Sequence, residues 1–318
     1  MRSIHSPRKV TWSRQNMKKL SRLVFFGNER LVSGLEHTNA PILRALIDAG
    51  YEVAAIVSHH SEATSRKPRP LEVAEVAKEY NIPLLLPERP SDIEDELRAL
   101  EADAAILVAY GKIIPERIIN VFDPIGIINI HPSLLPRHRG PTPIETTILD
   151  GDVEAGVSVM KLTAGMDEGP IYAQQSLPLH GNESKQELYE ALSRIGLELV
   201  LTALPDILSG TLQPDPQQNN DATYTSLLTK QDGIMNPATD DAYALERKVR
   251  AYAHFPKSRL SLKNNDVIIT SARVVETHDP TKLIVSCANN TLLEIVELIG
   301  PSGKTMSGEA YLHGYAKK

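Results

Sequence analysis

At 318 residues, the chain is long enough for one large domain plus a smaller one, and 42% hydrophobic with 23% charged residues is the composition of a packed enzyme. No apolar run approaches the ~18 residues of a membrane-spanning helix, and the single cysteine, Cys287, excludes intramolecular disulfides and multi-cysteine zinc sites, which predicts a reducing, cytoplasmic setting. The net charge of −6 is uneven: residues 1–22 hold seven Lys/Arg and no acid, residues 23–225 hold 15 basic against 30 acidic side chains, and residues 226–318 hold 12 against 10, so the middle of the chain is too acidic to grip a phosphate backbone alone.

Residues 1–22 are basic and Ser-rich but lack an apolar h-region. They read as an over-extended or disordered start, with Met17-Lys18-Lys19 as the candidate true beginning. Leu23-Val24-Phe25-Phe26-Gly27 is a short apolar run closed by glycine, the pattern of a buried first strand. Helical spacing follows over 40–49, then a strand over 53–57, a helix over 71–80 and a short edge strand over 83–87. A helix over 91–100 takes Ser91 as its N-cap. Residues 104–109 and 126–130 are further buried strands. Strands alternating with short helices predict an α/β fold with a parallel, doubly wound sheet.

Residues 156–162 and 171–179 predict two strands joined by the loop 163–170. Ser184-Lys185-Gln186-Glu187 is a capping box, and the helix it opens places Leu188, Leu192, Ile195 and Leu199 on one face. The polar, proline-interrupted stretch 213–221 reads as an interdomain linker. Beyond it, a helix over 239–253 turns Ala242, Leu245, Val249 and Tyr252 inward and Arg247, Lys248 and Arg250 largely outward. Strands over 266–275, 282–287 and 292–299 predict a small β-barrel. The expected division is a tail at 1–22, a catalytic domain at 23–209, a linker at 210–222 and a C-terminal domain at 223–318.

Two motifs mislead. Gly27-Asn28-Glu29-Arg30 lacks the later glycines that let backbone approach a dinucleotide pyrophosphate. Gly300-Pro301-Ser302-Gly303-Lys304-Thr305 imitates a phosphate-binding loop but has the wrong spacing, with Leu298 where the first glycine belongs. It reads as a hairpin turn. No G-x-S-x-G elbow surrounds any serine.

The informative stretch is Asn129-Ile130-His131-Pro132-Ser133-Leu134-Leu135-Pro136-Arg137-His138-Arg139-Gly140, at the carboxyl end of a buried parallel strand where α/β sheets place their ligand crevice. Period-two geometry puts Asn129 and His131 on one side. Gly165-Met166-Asp167-Glu168-Gly169-Pro170 presents carboxylates from a glycine-bracketed loop. An amide, an imidazole and a carboxylate can stabilise an oxyanion and move a proton. The spacing equally suits a strand-end histidine and a turn-forming aspartate. Metal coordination by His131, His138 and Asp167 is weaker, because no pair has i,i+4 ligand spacing, and no metal is expected.

These residues, with Pro143-Ile144 and Gly151-Asp152, resemble the signature of the 10-formyltetrahydrofolate-dependent formyltransferases. The resemblance extends over nearly the whole chain from about Leu23, and is nearest to the branch acting on methionyl-tRNA. It includes Val108-Ala109-Tyr110-Gly111-Lys112-Ile113-Ile114-Pro115 and, near the C-terminus, Arg250-Ala251-Tyr252, Phe255-Pro256 and Gly303-Lys304-Thr305-Met306. It implies a Rossmann-like domain followed by an OB-like, tRNA-binding barrel. It also implies Asn129, His131 and Asp167 as the catalytic trio, and 10-formyltetrahydrofolate as donor held by Ser133, Leu134, Leu135 and Pro136 with Tyr110 and Gly111.

In the loop that meets the tRNA acceptor end, the family's early arginine has no counterpart among residues 59–63, leaving Arg66, Lys67 and Arg69 for phosphates. Ile234-Met235-Asn236 stands where a tryptophan is usual. The lack of a long apolar run predicts no membrane association, and the resemblance implies methionyl-tRNA and the folate donor as partners with no stable protein partner implied. The competing readings are a sugar-nucleotide N-formyltransferase, a glycinamide-ribonucleotide formyltransferase, which normally lacks a C-terminal barrel, and a silent RNA-binding protein on the same scaffold.

Overall fold

The computed structural model describes residues 21–28, 40–59, 71–263 and 265–315. Arg66, Lys67, Arg69 and nearly all of the basic tail lie outside the described residues.

The first strand, β1 (Arg22–Gly27), explains the layered architecture. Its alternating side chains bury two faces: Leu23 and Phe25 join one apolar cluster, Val24 and Phe26 another. A strand buried on both sides must be apolar throughout, which is why it reads as a continuous run. Around it lie β2 (Glu52–Val57), the short β3 (Leu84–Leu85), β4 (Ala104–Val108), β5 (Ile127–His131), β6 (Glu154–Lys161) and β7 (Ile171–Pro178), in the order β3-β2-β1-β4-β5-β6-β7. Pairing is parallel from β3 to β5 and antiparallel from β5 to β7. The expected doubly wound, mostly parallel sheet is borne out.

Helices α1 (Pro41–Asp48), α2 (Glu72–Glu79) and α6 (Lys185–Leu208) cover the face of Leu23 and Phe25. The short α3 (Glu94–Ala99) and α4 (Glu116–Ile119) cover the other through Leu97, Ile118 and Ile119. Each fully buried aliphatic or phenyl side chain in these clusters contributes roughly 1.5–3 kcal/mol. Ser184 caps α6 as expected, accepting from the Glu187 amide while Glu187 reaches back. The buried face of α6 holds Leu188 and Leu192 but then drifts to Gly196 and Val200, leaving Ile195 and Leu199 only partly covered. Ser91 does not cap α3. Pro90 starts a tight turn one residue earlier, so Ser91 falls inside it and Asp92 accepts from the Arg89 amide at 3.1 Å.

The order of the sheet reverses beside β1, with β2 on one side and β4 on the other. Ligands of such sheets bind past the carboxyl ends of strands at that reversal. The chain is tight there: Gly27, at φ 136°, lies so close to β4 that a Cβ would sit 1.9 Å from the Val108 carbonyl oxygen, so only glycine fits.

The C-terminal part is a curled antiparallel sheet, a half-barrel of the expected OB-like kind. It comprises β8 (Ser258–Leu262), β9 (Asn265–Val275), β10 (Ile284–Ser286), β11 (Leu292–Ile299) and β12 (Thr305–Ser307). The order is β10-β11-β9-β8, with β12 on β11. The Gly300 amide donates to the Lys304 carbonyl between β11 and β12, so the imitation phosphate loop is a hairpin. Helix α7 (Ala242–Ala251) packs on the sheet through Ala242, Leu245 and Val249. The final helix, α8 (Gly308–Tyr315), adds Tyr311 to the same cluster.

The two units share apolar and polar contacts. Tyr252 and Ala251 belong to the first core. The arginines expected to face solvent turn instead to the other unit: Arg247 donates to the Leu149 carbonyl at 2.9 Å and Arg250 to the Glu183 carbonyl at 2.8 Å. The first follows from α7 packing against α5 (Pro143–Asp150), whose carboxyl end offers unsatisfied carbonyls, and the second from the segment that leads into α6. At the same junction the fully buried Lys185 pairs with the equally buried Glu145 at 3.6 Å and reaches the Phe255 carbonyl at 3.4 Å. Burial pushes the Lys185 ammonium below its ordinary 10.5, with Glu145 pulling the other way.

Between the native value and 10.5 the unfolded chain holds a proton that the native chain has released, so this pair makes stability rise with pH across that window. Lys185→Met leaves the Glu145 charge buried without this cation and should cost about 3–5 kcal/mol near neutral pH. It should also flatten the alkaline slope. Urea midpoints of both proteins between neutral and alkaline pH check the two effects.

Candidate functional site

The end of β5 presents Asn129 and His131 on one side, as the period of a strand requires. Both are 5% exposed. The loop from β6 to β7 brings Asp167 onto them: its Oδ1 lies 3.4 Å from Asn129 Nδ2 and its Oδ2 3.7 Å from His131 Nδ1. The firm contact to this carboxylate is another one, the Gly140 amide donating to Oδ2 at 2.8 Å. Gly140 has φ 109°, and a Cβ there would fall 2.8 Å from Thr225 Oγ1 and 2.9 Å from the Thr225 carbonyl oxygen. The amide therefore reaches Asp167 through a turn that glycine alone permits.

His131 has a defined ring orientation. Its Nε2 lies 3.0 Å from the His138 carbonyl oxygen. A carbonyl only accepts, so Nε2 carries a hydrogen and Nδ1 is the atom that faces Asp167. Nδ1 is thus the ring atom left to gain or give a proton beside the carboxylate.

The His138 ring points elsewhere. Its Nε2 is 2.6 Å from Asp152 Oδ2, and Arg137 donates to Asp152 Oδ1 at 2.6 Å. The trio of metal ligands considered from sequence is therefore not assembled, since His138 reaches His131 by its backbone. Among the described residues one other group of possible ligands, His138, Asp150 and Asp152, lies close together. There the imidazole and Arg137 already engage the carboxylate of Asp152.

Residues 133–136 are locked onto the sheet by a serine inside β6. Ser158 is fully buried; its Oγ donates to the Ser133 carbonyl at 2.6 Å and accepts from the Leu135 amide at 3.1 Å. Gln174 of β7 adds bonds to the Leu135 carbonyl at 2.9 Å and to Ser158 Oγ at 2.8 Å. Leu135 and Pro136 then form one wall of a cleft of about 370 Å³, closed by Tyr172, Gln174 and Gln217. Ser133 and Leu134 border a smaller space of about 170 Å³ with Arg137 and Asp152. The larger volume lies within the roughly 300–1,000 Å³ of small-molecule pockets.

Tyr110 is packed with its ring edge toward Phe26 and belongs to the core. Burial pushes its hydroxyl up to about 12, so it stays protonated at neutral pH. Its carbonyl accepts from His59 Nε2 at 2.7 Å, beside Gly111 at φ 76°. The structure thus gathers Asn129, His131 and Asp167 and sets residues 133–136 beside a cleft, while Tyr110 offers backbone.

Sequence reasoning missed Arg139, Gly140, Ser158, Gln174 and Gln217. Ser158 did carry a signal, as a hydroxyl between Val157 and Val159 in a buried strand needs partners. Arg139 stood in the signature stretch but nothing there marked it as buried, and Gln217 carried no signal within a polar segment read as a linker.

The formyl transferase family model matches residues 29–204, and that of the formyl transferase C-terminal domain matches residues 227–316. A methionyl-tRNA formyltransferase of Chloroflexus aggregans is 36% identical over 289 residues, covering 86% of this chain and 92% of the relative. Among solved structures, an N-formyltransferase from Helicobacter canadensis with folinic acid and dTDP-3-aminofucose superposes with a TM-score of 0.64 at 18% identity, over 88% of this chain and 99% of that one. HypX from Aquifex aeolicus with tetrahydrofolic acid gives 0.62 at 17% identity over 93% of this chain, which spans about half (47%) of HypX. At those identities the structural likeness carries the fold alone. The sequence match carries more: the chain belongs to the formyl transferase family, among the methionyl-tRNA formyltransferases.

Proposed function

We propose that the protein transfers the formyl group of 10-formyltetrahydrofolate to the α-amino group of methionyl-tRNA, supplying the formylated initiator for translation. The observation that carries this reading is the convergence of Asn129, His131 and Asp167 at the carboxyl end of β5. The sequence relationship to methionyl-tRNA formyltransferases favours this acceptor over an amino-sugar nucleotide.

An α-amino group with a pKa near ~8 is partly neutral at physiological pH, so no covalent enzyme intermediate is required. The amine attacks the formyl carbon, the carbonyl electrons move to oxygen, and a tetrahedral oxyanion forms. Asn129 Nδ2 carries two hydrogens, of which the contact to Asp167 uses one, and the other serves the oxyanion. His131 Nδ1 faces Asp167 Oδ2 at 3.7 Å, a pair that exchanges a proton through one water or after a small approach. Together they take the proton from the attacking nitrogen and deliver it to the departing folate nitrogen.

We place the donor in the cleft beside Leu135 and Pro136, which give it apolar walls, with Gln174 as a polar one. Ser133, Leu134 and the backbone of Tyr110 and Gly111 complete the assignment. The catalytic domain is assigned to residues 23–209, the linker to 210–222 and a tRNA-binding domain to 223–318, with Arg66, Lys67 and Arg69 meeting phosphates. The reaction is assigned to the cytoplasm. Among the described residues no helix is long and apolar enough to cross a membrane.

Asp167→Asn should lower kcat by about 10²–10⁴-fold, the span of general acid–base contributions, while folate binding stays measurable by calorimetry. Near-normal turnover would remove Asp167 from the reaction. Ser158→Ala unties residues 133–135 and leaves buried backbone groups without their hydroxyl. It should cost about 1–3 kcal/mol and raise KM for the folate donor more than it lowers kcat. Formylation of methionyl-tRNA and of an amino-sugar nucleotide, compared with one donor, decides the acceptor: label on the sugar alone overturns the assignment.

A further inference from the structure

Residues 213–221, which read as a linker, contain one side chain that is built into the site. Gln217 is half-buried in an otherwise largely exposed run. Its Nε2 donates to the carbonyls of Asp167 at 2.8 Å and of Gly169 at 2.7 Å. Its Oε1 accepts from Arg139 Nε at 3.0 Å and Nη2 at 2.8 Å. Both ends of the amide are thus engaged, and the orientation is fixed: a flipped amide would point its oxygen at two carbonyls and its hydrogens at a guanidinium.

Arg139 is 1% exposed. It also donates from Nη2 to Asn219 at 2.8 Å and from Nη1 to the Tyr224 hydroxyl at 2.9 Å, and Tyr224 donates to Glu168 at 3.1 Å. The residue after Arg139 is Gly140, whose amide holds the Asp167 carboxylate. Asp167 is therefore held twice from one anchor: its side chain through Gly140, its main chain through Gln217. It needs such restraint, because its φ is 52°, a left-handed backbone that side chains other than glycine adopt at a cost.

We infer that Gln217 is a positioning residue for formyl transfer: bridging Arg139 to the Asp167–Gly169 main chain, it sets the carboxylate against His131 and makes the interdomain segment part of the reaction site. The inference rests on the role assigned to Asp167 above. Gln217 borders the donor cleft, but both ends of its amide are engaged by protein groups, so it acts on the height of the barrier and not on substrate affinity.

Gln217→Glu separates its two functions. A carboxylate keeps, and strengthens, the grip of Arg139, but it turns an acceptor toward the two carbonyls. The segment stays anchored while the Asp167 loop is released. The expected result is a fall in kcat of about 10- to 100-fold, the cost of misplacing a reacting group by an ångström or so. KM for the folate donor and for methionyl-tRNA should stay within about threefold. Gln217→Met, of similar length and without a donor, should show the same split, and serves alone should the glutamate variant not fold.

In single turnovers with excess enzyme, Gln217→Glu should add less than about threefold on the Asp167→Asn background, since its target group is already disabled. Unchanged kcat in both single variants, a loss confined to KM, or a full additional loss beside Asp167→Asn each overturns the inference. The two proposals fail separately. An active Asp167→Asn enzyme sinks the catalytic reading, whereas an inactive one alongside a normal Gln217→Glu enzyme sinks only this inference.

Discussion

The bond from the Gly140 amide to the Asp167 carboxylate, at 2.8 Å, is the constraint from which the rest of the site follows. It ties the loop after β5 to the loop before β7, two segments that the chain would otherwise leave apart. Each loop has its own restraint on the sheet. Ser158 and Gln174 hold residues 133–135, and the Arg139–Gln217 pair holds the Asp167 turn. His131 is then oriented by its own loop, because the His138 carbonyl that fixes Nε2 is presented by a backbone at φ 55°.

The C-terminal unit takes part in this stiffness. The amide of His138 donates to Thr223 Oγ1 at 2.8 Å, and the Arg139 backbone lies opposite Tyr224 in a parallel bridge, donating to the Thr223 carbonyl and accepting from the Thr225 amide. Thr225 sits under Gly140. The segment entering the second unit is thus an added strand of contact along the loop after β5. Further along the junction, Ala251 and Tyr252 extend the first apolar core, and Lys185 with Glu145 fills a buried polar niche beside Phe255. Burying such a pair gives little net stability, but it penalises any arrangement that separates its partners.

What the sequence made legible was what periodicity encodes. β1 and β4 stood out because strands buried on both faces are uninterrupted apolar runs, and α6 because Ser184 and Glu187 cap it reciprocally. Asn129 and His131 could be placed on one side of β5 by counting alone. The elements that escaped, α4, α5, β8 and α8, are short or mixed in character and owe their form to packing: Ile118 and Ile119 under the sheet's other face, Ile144 and Ile148 against the first core, Leu260 and Tyr311 against the C-terminal one. Arg247 and Arg250 were misplaced for a related reason, since a charge near a helix end faces solvent unless another element offers carbonyls there. The approach of Asp167 to His131 and the anchoring by Gln217 are contacts between residues far apart in the chain, and no local pattern records them.

The chemistry explains why the structure spends so many bonds on placement. A partly neutral amine is already a competent nucleophile and a formyl carbon is unhindered, so the site needs no activated serine or cysteine. On the proposed mechanism the task left to the site is to bring amine, formyl carbon, oxyanion donor and proton acceptor into one geometry, where errors of an ångström or so cost about 100-fold. A fully buried guanidinium is an expensive way to hold a loop unless its donors are met. Arg139 meets that condition with Gln217, Asn219, Tyr224 and its backbone neighbours. Its desolvation is offset by short, charge-assisted bonds, and the rigidity they confer lies beside the carboxylate to which we assign the proton transfer.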